Sequence, residues 1–204
     1  MADSRVMECM YEQGQFESAR ANFNQFWQAV SDRVDPNSGY FLVYRAPGQQ
    51  RSEKQFDATA TIALGRATAA FESLFTPRTQ KWQDLTGGGA LKDDLEVKRY
   101  LEALRDLLFR VRYSAKANFA NNNSEFIRSD LNYGNGVMYV DDDPGKSLRY
   151  KHIALHESYF GEDHVGRIDR FHRKFALTAR QLIQKFPGEK FSQNILNAAD
   201  KTPN

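Results

Sequence analysis

The chain has 204 residues, with 28 lysines and arginines against 26 aspartates and glutamates, so its formal net charge is +2. That near balance argues against a general nucleic-acid binder, which would carry a clear basic excess. Cys9 is the single cysteine, which excludes an internal disulfide framework. The first residues lack a secretory signal pattern, and no apolar run approaches the roughly 20 residues of a membrane span. We therefore expect a protein made in a cytoplasm.

Aromatic residues are numerous, with 15 Phe and 9 Tyr. Because aromatic side chains bury large areas in cores and in interfaces, this composition favours a subunit interface as well as a core. The length allows one large domain or two small ones.

The N-terminal third is predicted to be helical. Apolar residues at three- and four-residue steps share one face of a first helix: Ala19, Phe23, Phe26, Trp27, Val30 and Val34. Turn residues 35–39 end this helix, and residues 40–44 form a short strand or an extended arm. A capping-box spacing predicts that a second helix begins at Ser52 and Gln55. Pro77 ends that helix, because the residue before proline avoids the α region.

A long third helix is predicted after the glycines at 87–89, which read as a hinge. Apolar spacing from Leu101 to Phe119 continues for about five turns. Residues 121–123 interrupt it, and Asn123 is expected to cap a further helix. Gly134 closes that helix in the manner usual for glycine.

The pattern then changes to strands. Residues 137–140 and 148–155 flank a polar turn at 141–146. A second turn at 161–164 precedes an alternating stretch from Val165 to Phe175. Two short helices should follow, the first with a capping box at residues 178–181.

Helices followed by a small antiparallel sheet or hairpin predict an α+β fold. We divide the chain into three parts. Residues 1–50 form an N-terminal helix and extended arm, residues 51–190 form an α+β unit, and residues 191–204 form a short helix with a polar tail.

Histidines raise a metal-site hypothesis, since His152 and His156 are four apart, with His164 and His172 nearby. However, residues 148–155 are predicted to be a strand, where residues four apart lie about 13 Å apart. The His-Glu-x-x-His order of zinc peptidases is also absent from the sequence. The favoured interpretation is surface or polar-network histidines. We therefore predict no metal, no cofactor and no catalytic residue.

Two other motifs lack the spacing that their chemistry needs. An EF-hand loop beginning at Asp141 would need Gly at position 146 and Glu at 152, where the chain has Lys146 and His152. A solvated hairpin tip at residues 141–143 is the favoured interpretation. The glycines at 87–89 lack P-loop spacing, so no nucleotide site is predicted.

Basic residues dominate the stretch from 167 to 185. Alternation places charges on both faces of the predicted strand, so neither face is cleanly apolar. Three interpretations stay open for these charges: a solvated surface, ion pairs between subunits, or direct DNA contact. The residues concerned are Arg167, Arg170, Arg173 and Lys174.

Several segments, in order and spacing over roughly residues 50–190, carry a family resemblance. They are residues 56–60, 74–77, 81–82, 117–119, 131–136, 157–160, 163–173 and 178–181. Together they resemble the head-to-tail connector, or portal, proteins of short-tailed, podovirus-type bacteriophages. The resemblance implies structural roles for eight positions: Asp57, Pro77, Trp82, Asn118, Phe119, Gly134, Gly136 and Arg170.

The resemblance implies a ring of identical subunits, typically about twelve, at one vertex of the phage head. Its partners would be other copies, capsid or scaffold proteins, terminase and tail adaptor proteins, with double-stranded DNA passing through the ring and no membrane. Such a protein has no catalytic centre and resides in the virion after assembly in the bacterial cytoplasm.

The matched region corresponds to the outer wing of the ring, and the stem, clip and crown have no counterpart in these 204 residues. A fragment of a longer product and a truncated gene both stay open. Two alternatives also stay open: a small phage DNA-binding or adaptor protein that reuses the wing unit, and a metal-dependent hydrolase.

Overall fold

The structure is a computed structural model that describes residues 4–42, 48–143 and 147–201. These residues form six α-helices and four β-strands, which confirms the predicted α+β class. The elements, in chain order, are α1 (Ser4–Val34), α2 (Thr59–Phe75), α3 (Leu95–Arg112), α4 (Phe119–Tyr133), β1 (Met138–Asp143), β2 (Ser147–His152), β3 (Ser158–Glu162), β4 (Ile168–Arg173), α5 (Ala179–Lys185) and α6 (Gln193–Lys201).

The strands form two separate antiparallel hairpins. In the first hairpin β1 pairs with β2, with Val140 opposite Tyr150. In the second β3 pairs with β4, with Tyr159 opposite His172. The two predicted hairpins are confirmed, but residues 141–143, predicted as the tip of the first, belong to β1, and residues 144–146 lie outside the described residues. The second strand, however, ends at His152, and a 3₁₀ turn over Leu155–Glu157 leads into β3.

The predicted start of the second helix is wrong. The backbone N–H of Gln55 donates to the carbonyl of Ser52 at 3.1 Å, so these residues form an isolated turn. Helix α2 begins at Thr59, whose backbone N–H and hydroxyl donate to the Asp57 carboxylate at 3.0 and 2.9 Å. A polar residue spaced for a cap also suits a turn, and local spacing does not distinguish the two.

The predicted boundary between the third and fourth helices is also wrong. Helix α3 ends at Arg112, and α4 begins at Phe119 and runs through the three asparagines at 121–123. Asn118, just before α4, has a left-handed backbone with φ 52°. Asn123, expected as a cap, is buried within the helix and donates to the Thr76 hydroxyl at 2.9 Å.

Three predicted helix ends are confirmed. Helix α2 ends at Phe75, two residues before Pro77. Helix α4 ends against Gly134, whose φ is 75°. The capping box of α5 has both of its hydrogen bonds, between Thr178 and Gln181.

Packing centres on α4. Helix α2 lies against α4, and α4 lies against β2, while α1 contacts β3, α2 and α4. Helices α5 and α6 pack on each other. The residues buried at the junction of α4 and β2 are Ala117, Phe119 and Tyr150, with Trp82, Tyr113, Met138 and Leu148 packed around them. None of the helices in the described part of the chain is both long and apolar enough to cross a membrane.

Candidate functional site

Two of the predicted structural positions, Trp82 and Phe119, meet in one aromatic core. The ring of Phe119 lies edge-on to Tyr150 and Tyr113, with centroid distances of 5.0 and 5.3 Å, and stacks on Trp82 at 6.3 Å. The indole N–H of Trp82 donates to the Tyr113 hydroxyl at 3.0 Å, and that hydroxyl donates to the carbonyl of Thr76 at 3.0 Å. These contacts tie the loop after α2 to the end of α3 and to α4. We call Trp82, Tyr113, Ala117, Phe119 and Tyr150 the aromatic core.

Arg112 and Pro77 complete the surroundings of the aromatic core. The guanidinium of Arg112 lies 4.8 Å from the centroid of the Trp82 ring and donates to the Tyr150 hydroxyl at 3.3 Å. Pro77 lines a cavity of about 240 Å³ beside Phe119. Thus three predicted positions, Pro77, Trp82 and Phe119, lie together although they occupy different elements.

Three further predicted positions act through the backbone. Asn118 and Gly134 adopt left-handed conformations at the two ends of α4. Gly136 is needed for a close approach, because a Cβ there would lie 2.7 Å from the Phe126 ring and 3.0 Å from its carbonyl oxygen. Gly134 and Gly136 direct the chain from α4 into β1, and Asn118 lies where the chain enters α4.

Arg170, the last of the eight positions, belongs to a polar seam between α1 and the second hairpin. Its guanidinium contacts the Glu12 carboxylate at 2.9 Å, and His172 lies 3.4 Å from the same carboxylate. Lys174 contacts Glu17 at 2.6 Å, which lowers the pKa of Glu17 and raises that of Lys174. We call Glu12, Glu17 and Arg20 of α1, with the residues that they contact, the polar seam.

Arg20 of the polar seam contacts three backbone carbonyls and one aromatic ring. Its guanidinium donates to the carbonyls of Leu155 and His156 at 3.1 Å each, and also to the carbonyl of Ser158. It lies 3.8 Å from the centroid of the Tyr159 ring. Burial lowers the pKa of this arginine. One side chain therefore donates to three carbonyls of the connection between the two hairpins, of which the Leu155 carbonyl also accepts from the backbone N–H of Ser158.

The four predicted charge contacts differ in their surroundings. Arg170 and Lys174 pair with α1, and Arg173 donates to one oxygen of Glu157 at 2.7 and 2.8 Å. Arg167 is exposed, and its guanidinium has no ion pair among the described residues. Contacts of these residues with other subunits or with DNA stay a prediction, and the structure leaves Arg167 with the most available charge.

The histidines do not converge. In the ranges that the structure describes, no three His, Cys, Asp or Glu side chains are placed to hold a metal ion. His152 and His156 are half-buried, and burial lowers the pKa of each. The His156 Nδ1 is buried without a hydrogen-bond partner in the described structure, beside the rings of Tyr40 and Phe41.

Sequence reasoning missed the polar seam. Arg20 lies more than 130 positions from the carbonyls that it contacts, and no local spacing predicts such a pairing. A signal did exist, because polar residues also recur at three- and four-residue steps along α1: Gln13, Glu17, Arg20, Asn24, Gln28 and Ser31. The apolar residues predicted to share one face of α1 include Phe23 and Phe26, which are 60% and 66% exposed.

The aromatic core and the polar seam each connect elements that are distant in the sequence. A family model described as "Bacteriophage head to tail connecting protein" matches residues 7–204. The chain is 24% identical over 190 residues to a probable portal protein of Bordetella phage BPP-1, covering 92% of this chain and 34% of that protein. It is 24% identical over 197 residues to the portal protein of Salmonella phage epsilon15, covering 96% of this chain and 35% of that protein.

The chain thus spans about a third of the length of these curated relatives. The family match, by contrast, extends over nearly all of the chain. By this match the chain belongs to the bacteriophage head-to-tail connecting protein family.

Proposed function

We propose that this chain is the wing-like part of a portal subunit, a structural protein that assembles into a ring at one vertex of a phage head. The observation that carries the proposal is the family match over residues 7–204. In this function identical copies form a closed ring of about twelve, through which double-stranded DNA is packaged and ejected. Capsid or scaffold proteins, terminase and tail adaptor proteins are the other partners, and the virion is its location.

Exposed apolar side chains support an assembly function. Leu74 and Phe75 at the end of α2 are 74% and 63% exposed, and the Phe75 ring contacts that of Phe71, which is 41% exposed. Monomeric proteins rarely expose large contiguous apolar patches, and such patches commonly mark interaction surfaces. The described residues hold no metal-binding cluster, and we propose that the chain has no enzymatic activity of its own.

The DNA-binding adaptor receives less support. Arg170, Arg173 and Lys174 already face carboxylates of the same chain. A cation that is neutralised internally releases fewer counterions from DNA, so these three side chains contribute little to phosphate contacts.

Native mass spectrometry of the product expressed from its own gene tests the proposal, because it reports the subunit mass and the assembly mass together. We expect a closed multimer of about twelve copies. A product that stays monomeric at high concentration would refute the ring. A steep dependence of DNA affinity on salt in that monomer would then favour the adaptor.

A further inference from the structure

Helix α1 buries polar residues against the rest of the protein and leaves two phenylalanine rings exposed. Gln28, Ser31 and Asp32 are its buried residues in the described structure, and all three are polar. Phe23 and Phe26, on another side, are 60% and 66% exposed. A helix normally buries its apolar stripe, so the exposure of these two rings indicates that another surface covers them.

A second exposed apolar patch lies at the C-terminal end of α2. Phe71 is 41% exposed, Leu74 is 74% exposed and Phe75 is 63% exposed. The Phe71 and Phe75 rings contact each other at 5.5 Å, so they form one continuous patch. The α1 patch (Phe23, Phe26) and the α2 patch (Phe71, Leu74, Phe75) are separate surfaces of different elements.

The two patches together provide enough area for a specific contact. If a large apolar side chain presents about 200 Å², the exposed fractions sum to roughly 600 Å² of apolar surface. Because an interface is a little over half apolar, such a contact would bury about 1,000 Å² in total. Specific interfaces begin at about that size.

Charges beside the two patches are complementary. In the described structure Arg33, near the α1 patch, contacts only the carbonyl of Ala29 in its own helix, at 3.0 Å. Glu72 follows Phe71 in the chain; it is half-buried and lines a cavity of about 410 Å³ between α2 and α4. Its carboxylate has no hydrogen bond or ion pair among the residues that the structure describes. One patch thus lies near an available cation and the other near an available carboxylate.

We propose that the α1 patch of one copy packs on the α2 patch of a second copy, with Arg33 directed toward Glu72. This inference rests on the proposed ring function and specifies its contact. A ring needs a heterologous interface, in which two different surfaces of the same chain meet. The chain offers two such surfaces, apolar at the centre and opposite in charge at the edge.

Trans-complementation between two variants tests the pairing. Phe26→Asp blocks the α1 patch and Leu74→Asp blocks the α2 patch, and both side chains are largely exposed, so the fold should be kept. We expect each variant alone to be monomeric by native mass spectrometry. An equimolar mixture should form a one-to-one dimer and nothing larger, since it retains one intact pair of patches. Gln25→Asp, an exposed α1 position outside the patch, is the matched control and should assemble like the wild type.

A charge-reversal pair gives a second measurement. Arg33→Glu should weaken association by about tenfold, as expected for the loss of one interfacial charge pair. Glu72→Arg in the same chain should restore it. If either Asp variant unfolds at lower urea concentration than the wild type, Phe26→Ser and Leu74→Ser replace the pair.

The outcomes separate this inference from the ring function. If the wild type and both patch variants assemble alike, the patches are not the interface, although the ring proposal stands. If the variants are monomeric and their mixture is too, the two patches do not pair with each other. A wild-type chain that stays monomeric would overturn both the interface and the ring.

Discussion

Replacing Arg20 with methionine removes the guanidinium from the polar seam and keeps an unbranched side chain. The Leu155 carbonyl keeps the backbone N–H of Ser158 as a donor. The carbonyl of Ser158, a residue with 0% exposure, loses the Arg20 donor. An unpaired buried acceptor costs about 1–3 kcal/mol. Loss of the contact with the Tyr159 ring adds about 0.5–1 kcal/mol. Relief of the buried charge offsets part of this cost, so we expect the free energy of unfolding to fall by about 2 kcal/mol.

For a chain of this size each kcal/mol shifts the melting temperature by about 2–4 °C, so Arg20→Met should melt about 4–8 °C lower. Urea and thermal unfolding at low protein concentration measure both quantities. Arg20→Lys should be intermediate, because an ammonium cannot span the carbonyls as a planar guanidinium does.

Arg33→Met is the matched control for this experiment. It applies the same substitution to an exposed arginine of the same helix, so we expect a change within about 0.5 kcal/mol. The reasoning fails if Arg20→Met is as stable as this control, because the three carbonyls would then not depend on Arg20.

The remaining predictions concern the aromatic core, a glycine and the histidines. Trp82→Ala should lower the free energy of unfolding by about 3 kcal/mol. Trp82→Phe loses the indole hydrogen bond but keeps a ring, so it should lower this free energy by about 1 kcal/mol. If urea unfolding gave equal losses for the two variants, the stacking of the Trp82 ring would be contradicted. Gly136→Ala should lower the free energy of unfolding by about 1–3 kcal/mol, because the new methyl group overlaps the ring of Phe126. Gly134→Ala should lower it by about 1–2 kcal/mol, because residue 134 has a left-handed backbone. An unchanged stability of Gly136→Ala would rule out the close approach of Gly136 to Phe126. Burial lowers the folded-state pKa of His152 and His156. Below about pH 6.5 the unfolded chain therefore binds more protons than the folded chain. The free energy of unfolding that is present above that pH is consequently lost as the pH falls. Unfolding measured from about pH 7.5 to 5 should show this loss, and a variant with both histidines changed to glutamine should show a flatter profile.

Local features of the fold could be predicted from the sequence because their causes lie within a few residues. A glycine at 134 ends α4 through its positive φ, and the capping box at Thr178 begins α5. The two hairpins follow from alternation and turn residues. Family membership was likewise predicted, since the order of short segments along the chain carries it, and the family match confirms it.

The helix boundaries that failed depend on distant contacts. Periodicity continues from α3 toward Phe119, yet the chain breaks before it because Phe119 packs against Trp82 and Tyr150. Burial of these aromatic rings outweighs the small helix propensity of the intervening residues. At Ser52 the capping pattern forms an isolated turn instead, because a polar residue spaced for a cap also suits a turn.

The sequence by itself determined the α+β class, the hairpins, several helix ends and the family. Only the tertiary structure decided which face of α1 is buried, because periodicity shows that residues share a face and does not show what covers it. In this chain the polar face meets the protein through Arg20, and Phe23 and Phe26 remain exposed. Three carbonyls brought together by the second hairpin make that orientation favourable, and they lie far from α1 in the chain.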